Sequence, residues 1–98
     1  MLKHRIITTL LWDGQQCVKP VSFKRPYRKL GPMQQYMQVI ERRNVDELII
    51  LDICATLEGR GPLTEEISRL TQNIFCPCTI GGGIRNLDDI SALLNSGA

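Results

Sequence analysis

Apolar residues fall along the chain in two alternating patterns: short continuous runs, and stretches where they recur every three or four positions. The first run, Arg5 to Leu11, holds Ile6, Ile7 and two threonines and predicts a short buried strand. Asp13-Gly14 marks a turn, and Gln15 to Phe23 reads as extended, with Val18, Val21 and Phe23 as its apolar points. Lys24 to Gly31 follows as an exposed loop, because Lys24, Arg25, Arg28 and Lys29 crowd four cations into it.

Gly31-Pro32 opens a helix, since proline is preorganised for a first helical turn. Met33, Tyr36, Met37 and Ile40 lie at helical spacing on one face. Arg42 and Arg43 sit where the helix dipole favours cations, and Asn44 is the stop. Glu47 to Asp52 is a nearly continuous apolar run ending in an acid, the composition of a strand covered on both faces. After a break at Gly59 to Gly61, Pro62 opens a second helix with Leu63, Ile67, Leu70 and Ile74 inward. Cys76 to Ile80 predicts a third strand. Asn86 caps a third helix whose inner face is Ile90, Leu93 and Leu94, and Gly97 ends it.

The resulting order, β-α-β-α-β-α within a single domain over residues 1–98, predicts an α/β fold: a parallel sheet with right-handed crossovers. In such sheets the active groups gather at the C-terminal strand ends. Those ends are Leu11 to Asp13, Asp52 to Ala55 and Gly81 to Ile84.

Charge sharpens this picture. The net charge of +2 hides two poles: residues 1–43 carry nine basic and two acidic side chains, residues 44–98 three basic and eight acidic. A basic first half suits an anionic small molecule or the acidic half of a neighbouring chain, or is simply a solvated face. With Tyr27 the one aromatic among the loop cations and no nucleic-acid-binding motif, nucleic acid is not expected. No apolar run approaches a membrane span, and the basic start Met1 to Arg5 lacks the long apolar segment of a signal peptide. Cys17, Cys54, Cys76 and Cys78 have neither zinc-site nor disulfide-framework spacing, and His4 is the sole histidine. The expectation is a reduced, cytoplasmic protein without a metal or cofactor.

Three candidate groups emerge. Gly81-Gly82-Gly83, between a strand and a helix, lets backbone amides approach a phosphate, or is merely a tight turn. Asp52 at its strand end is suited to act as a base or orient a hydroxyl, or else to hold backbone amides or Arg60. Lys19, just past the first strand, is placed to bind an anion.

Taken together, Arg5-Ile6-Ile7 with Leu10, Val18-Lys19, Asp46-Glu47-Leu48 with Leu51-Asp52-Ile53, Glu58-Gly59-Arg60 and Gly81-Gly82-Gly83-Ile84 resemble the cyclase subunit of imidazole glycerol phosphate synthase, HisF. The resemblance keeps its order over essentially the whole chain. It implies part of a (β/α)₈ (TIM) barrel that takes ammonia from a glutamine amidotransferase partner and closes an imidazole ring on a phosphorylated substrate. It further implies that Lys19 contacts substrate, that Gly82 and Gly83 help hold a phosphate, and that Asp52 lies near the site. One position departs: the family's catalytic acid at the end of the first strand falls on Leu11, which cannot transfer protons. Leucine there, and the loop Val18-Lys19-Pro20-Val21-Ser22-Phe23-Lys24-Arg25-Pro26, look like a HisF-like branch associated with acetamidino modification of surface sugars.

Length sets the last expectation. A complete barrel needs roughly 200 residues, whereas 98 residues supply three βα units, less than a half-barrel, with both sheet edges exposed. Three readings follow: a HisF-like synthase fragment inactive alone, a self-associating module with a residual anion site, or a cyclase assembled from several chains.

Overall fold

The computed structural model describes residues 4–21 and 24–98. Its central feature is a sheet of parallel strands β1 (Ile7–Trp12), β4 (Glu47–Asp52) and β5 (Cys78–Gly81), extended on one side by the antiparallel strands β2 (Gln16–Val21) and β3 (Lys24–Pro32). The strand order is β3-β2-β1-β4-β5. Helices α1 (Met33–Arg42), α2 (Thr64–Thr71) and α3 (Leu87–Asn95) alternate with the parallel strands as expected.

Strand periodicity decides which side chains reach the helix layer. Leu10 and Trp12 of β1, Leu48 and Ile50 of β4, and Cys78 and Ile80 of β5 belong to or pack on the core. Met33 and Met37 of α1, Ile67 of α2 and Leu93 of α3 meet them. The alternate residues, including Ile7, Leu11, Ile49 and Leu51, fall on the opposite face, outside this core cluster. Register is direct: Leu11 pairs with Leu51 and Trp12 with Asp52. Outside the ladder, the Ile6 carbonyl accepts from Asp46 N at 2.9 Å.

Helix ends follow local chemistry. The Asn86 side chain accepts from Asp89 N at 2.9 Å, closing the α3 N-terminus. Asn44, the expected stop after α1, adopts φ 56°, and Gly97 ends α3 at φ 117°.

Three expectations need correction. Residues 24–31 are not a loop: they lie within β3, which pairs with β2 from Gln16↔Pro32 to Val21↔Lys24. Backbone pairing holds this strand, so its cations need no buried face; Arg28 and Lys29 are exposed. Second, the hairpin places β2 beside β1, so the sheet is mixed and its edge strands are β3 and β5. Third, the inner face of α3 reduces to Leu93. Ile90 and Leu94 are 41% and 63% exposed, because α3 packs on α2 and no further element covers its far side among the described residues.

The end of the sheet also sets cysteine chemistry. Burial, aided by the neighbouring Cys76, pushes the Cys78 thiol from 9.0 up to about 11. Because the folded state holds the proton more tightly, this stabilisation is present below about pH 9 and is lost as pH rises through about 11. Native-state iodoacetamide labelling at pH 8, read by mass spectrometry, is expected to modify Cys78 ~100-fold more slowly than an unperturbed thiol, with the rate climbing steeply toward pH 11.

Candidate functional site at the strand ends

Asp52 ends β4 and is buried, the one buried charged residue among those described. Its Oδ1 accepts from Cys54 N at 3.1 Å and Ala55 N at 3.2 Å, so the carboxylate shapes the turn that follows its own strand. Arg60 approaches from the same loop: Nη1 donates to Oδ2 at 2.6 Å and Nη2 to Oδ1 at 3.2 Å. This two-pronged pairing of guanidinium and carboxylate fixes orientation as well as charge. Arg60 also donates through Nε to Glu58 at 2.7 Å and through Nη2 to the Asp13 carbonyl at 3.3 Å. The hydrogen bond to Asp52 raises the guanidinium above its ordinary value despite desolvation, with Glu58 adding to it. Both structural alternatives considered for Asp52, backbone amides and Arg60, therefore occur together.

The glycine turn touches the same hub. Gly82, at φ 103°, runs so close to the β4 end that a Cβ would collide with the Asp52 carbonyl. A Cβ on Gly83 would press the Ala55 methyl at 2.6 Å. Glycine is required here by the approach of two backbones.

Asp13 organises the first loop, its Oδ1 accepting from Gln15 N at 2.8 Å and Gln16 N at 2.7 Å where the hairpin begins. Between these loops lies an open cleft of about 530 Å³ lined by Asp13, Lys29, Cys54, Glu58, Arg60 and Glu66, among others. Lys29 brings to it a cation of the segment read as a loop. Lys19 lies elsewhere: exposed on β2, it pairs across to Arg28 of β3. The structure thus joins Asp52 with Gly82-Gly83 but leaves Lys19 on the other flank of the strand order. Leu11 stands on the face away from the helices, beside Leu51. What sequence reasoning missed is the reach of Arg60 to Asp13; the Glu58-Gly59-Arg60 motif marks the cation that returns toward Asp52 but carries no signal for this second contact.

Parallel strands, crossover helices and polar groups collected at the C-terminal strand ends define a class, the β/α-barrel-type proteins. Within that class the chain belongs to the histidine biosynthesis protein family, which it matches over residues 5–98. It is 47% identical to the putative imidazole glycerol phosphate synthase subunit hisF2 of Campylobacter jejuni, across all of this chain and 39% of the relative. It is 44% identical to the imidazole glycerol phosphate synthase subunit HisF of Cytophaga hutchinsonii, across all of this chain and 39% of that protein. The HisF subunit of Dictyoglomus thermophilum is 39% identical, again over the whole chain and 38% of the relative. The chain therefore spans less than two fifths of the length of these curated relatives.

The geometry yields a graded stability series, measured by urea unfolding. Asp52→Ala leaves Arg60 without its main partner and is expected to cost about 2–4 kcal/mol. Gly82→Ala, combining positive φ with the backbone collision, is expected to cost at least about 2 kcal/mol. Gly59→Ala, also at positive φ but with nothing within 4 Å of its Cβ, is expected to cost only about 1 kcal/mol.

Proposed function

We propose that this chain supplies the first three βα units of a HisF-type, ammonia-using synthase that acts with a glutamine amidotransferase, and that it has no turnover by itself. The match that carries this reading runs from end to end of the chain yet covers only 38–39% of relatives named as imidazole glycerol phosphate synthase subunits. The strand-end placement of Asp52 and Gly82-Gly83 supports it. In this reading the Gly82-Gly83 amides and exposed Lys19, reinforced by Arg28 across the hairpin, receive the anionic parts of a phosphorylated or nucleotide-linked substrate. Asp52, engaged on both oxygens, positions the site through Arg60. Leu11 in place of the expected acid supports a relation to the acetamidino sugar branch, in which ammonia passes to a sugar. The loop signature for that branch falls partly outside the described residues. In this reading the synthase is cytoplasmic; separately, among the described residues no helix is long and apolar enough to cross a membrane.

The test is a turnover assay on the purified 98-residue chain supplied with ammonium and the imidazole glycerol phosphate synthase substrate. No product above background is expected, and ammonia-dependent product formation would contradict the reading.

A second reading, self-association, is favoured by the far end of the sheet. Among the described residues no strand pairs with the outer edge of β5, and Ile84, Leu87, Ile90 and Leu94 are exposed nearby. The cationic β3 edge and the acidic second half offer complementary poles for a head-to-tail contact between copies. Light scattering at micromolar concentration is expected to report a mass above the 11.1 kDa of one chain, falling as salt screens the poles. A monomer at low salt would remove this reading.

A further inference from the structure

The β2–β3 hairpin leaves the body of the sheet almost at once. Among the described residues, Trp12↔Cys17 is its one register pair with β1, and beyond Cys17 strand β2 pairs only with β3. Cys17 and Val18 are buried at this root, whereas Lys19 and Arg28, paired across the hairpin, are exposed. The ladder also slips at the root: Cys17 pairs with Gly31 and Val18 with Lys29, which leaves Leu30 as an extra residue. Such a bulge bends its strand and sharpens the local twist, so the hairpin can swing here without breaking the pairs further out.

Two side chains from outside the hairpin grip this root, one beside each strand. Arg60 donates through Nη2 to the Asp13 carbonyl at 3.3 Å, and Asp13 is the residue whose Oδ1 accepts from Gln15 N and Gln16 N to start β2. Tyr36 of α1 donates its hydroxyl to the carbonyl of Leu30, the bulged residue, at 2.8 Å. Both anchors begin in the rigid part of the fold: Asp52, buried at the end of β4, orients the guanidinium through both of its oxygens, and Tyr36 packs against the core. Lys19 stands three residues beyond Gln16, about 10 Å of extended chain. A small rotation at the root therefore carries its ammonium through several ångströms, and groups that must meet one ligand together lose their effect when one of them is displaced.

We propose that Arg60 and Tyr36 are positioning residues: together they fix the direction in which the hairpin leaves the sheet, and thereby the place of Lys19 and Arg28 relative to Asp52 and Gly82-Gly83. Their use rests on the reading above, in which Lys19 and Arg28 receive the anionic parts of a substrate. The mechanical coupling is measured without any substrate, so the two readings fail separately.

Residual dipolar couplings of the backbone amides in the weakly aligned, ¹⁵N-labelled chain report the orientation of the hairpin against the sheet. In the wild-type chain, the amides of Gln16 to Lys19 and Arg28 to Leu30 are expected to fit the same alignment as those of β4 and β5. Arg60→Lys keeps a cation for Asp52 but loses the planar fork that also reaches Asp13. Tyr36→Phe keeps the ring and removes only the hydroxyl. Each variant is expected to scale the couplings of both hairpin strands down to about half their rigid-body values, with those of β4 and β5 unchanged. The decisive feature is reach: Arg60→Lys must loosen β3 and Tyr36→Phe must loosen β2, strands to which the altered side chains make no hydrogen bond. Effects confined to the strand beside the altered side chain overturn the proposal, as do hairpin couplings that keep the common alignment in Tyr36→Phe. A wild-type hairpin that needs an alignment of its own overturns it too. Should Arg60→Lys fail to fold, Tyr36→Phe decides alone by the same two criteria.

Discussion

The contact between Asp52 and Arg60 is the constraint through which the three strand-to-helix connections meet. The carboxylate closes the turn after β4 by accepting from Cys54 N and Ala55 N. The guanidinium reaches the connection after β1 through the Asp13 carbonyl, and the Asp52 carbonyl abuts Gly82 in the connection after β5. A buried carboxylate without a partner is costly; here the charge is matched and its oxygens are filled by backbone and guanidinium donors. Rigidity at the strand ends thus comes from one residue pair and the backbone it organises.

Away from that pair, the two faces of the sheet live under different conditions. The face carrying Leu48, Ile50, Trp12 and Ile80 is sealed by methionine, isoleucine and leucine side chains from the helices. On the other face, Leu11 and Leu51 stand side by side, with no helix over them among the described residues. Parallel strands are ordinarily covered on both faces, and the continuous apolar run Leu48 to Leu51 is composed for that environment. The match to relatives more than twice as long agrees with such strands.

How far the sequence discloses the structure depends on which force makes each element. Side-chain burial orders α1 and β4, and the spacing of Met33 and Met37 and the run Glu47 to Asp52 display them openly. Asn86 was legible because a cap is local chemistry. β3 escaped because its order lies in backbone pairing, while its side-chain string of cations has the look of a solvated loop. For α3, helical spacing told which residues share a face but not whether a neighbouring layer would cover Ile90 and Leu94. At the site, Asp52 and the glycines were marked by position at strand ends. The hold of Arg60 on Asp13, 47 residues away, is a tertiary fact that no local pattern contains.

The β2–β3 hairpin has a kinetic consequence. β1 must find β4 across a long crossover before the parallel ladder can form, and closing such a loop carries an entropy cost that grows with its length. The hairpin accounts for about half of that crossover and pairs with itself through sequence-local contacts. Once folded, it brings Gln16 and Pro32 together, shortening the segment left to close by about a factor of two, worth ~0.6 kcal/mol in loop-closure entropy. An appendage outside the parallel sheet therefore acts as a guide that lowers the entropic barrier to its first long-range strand pair.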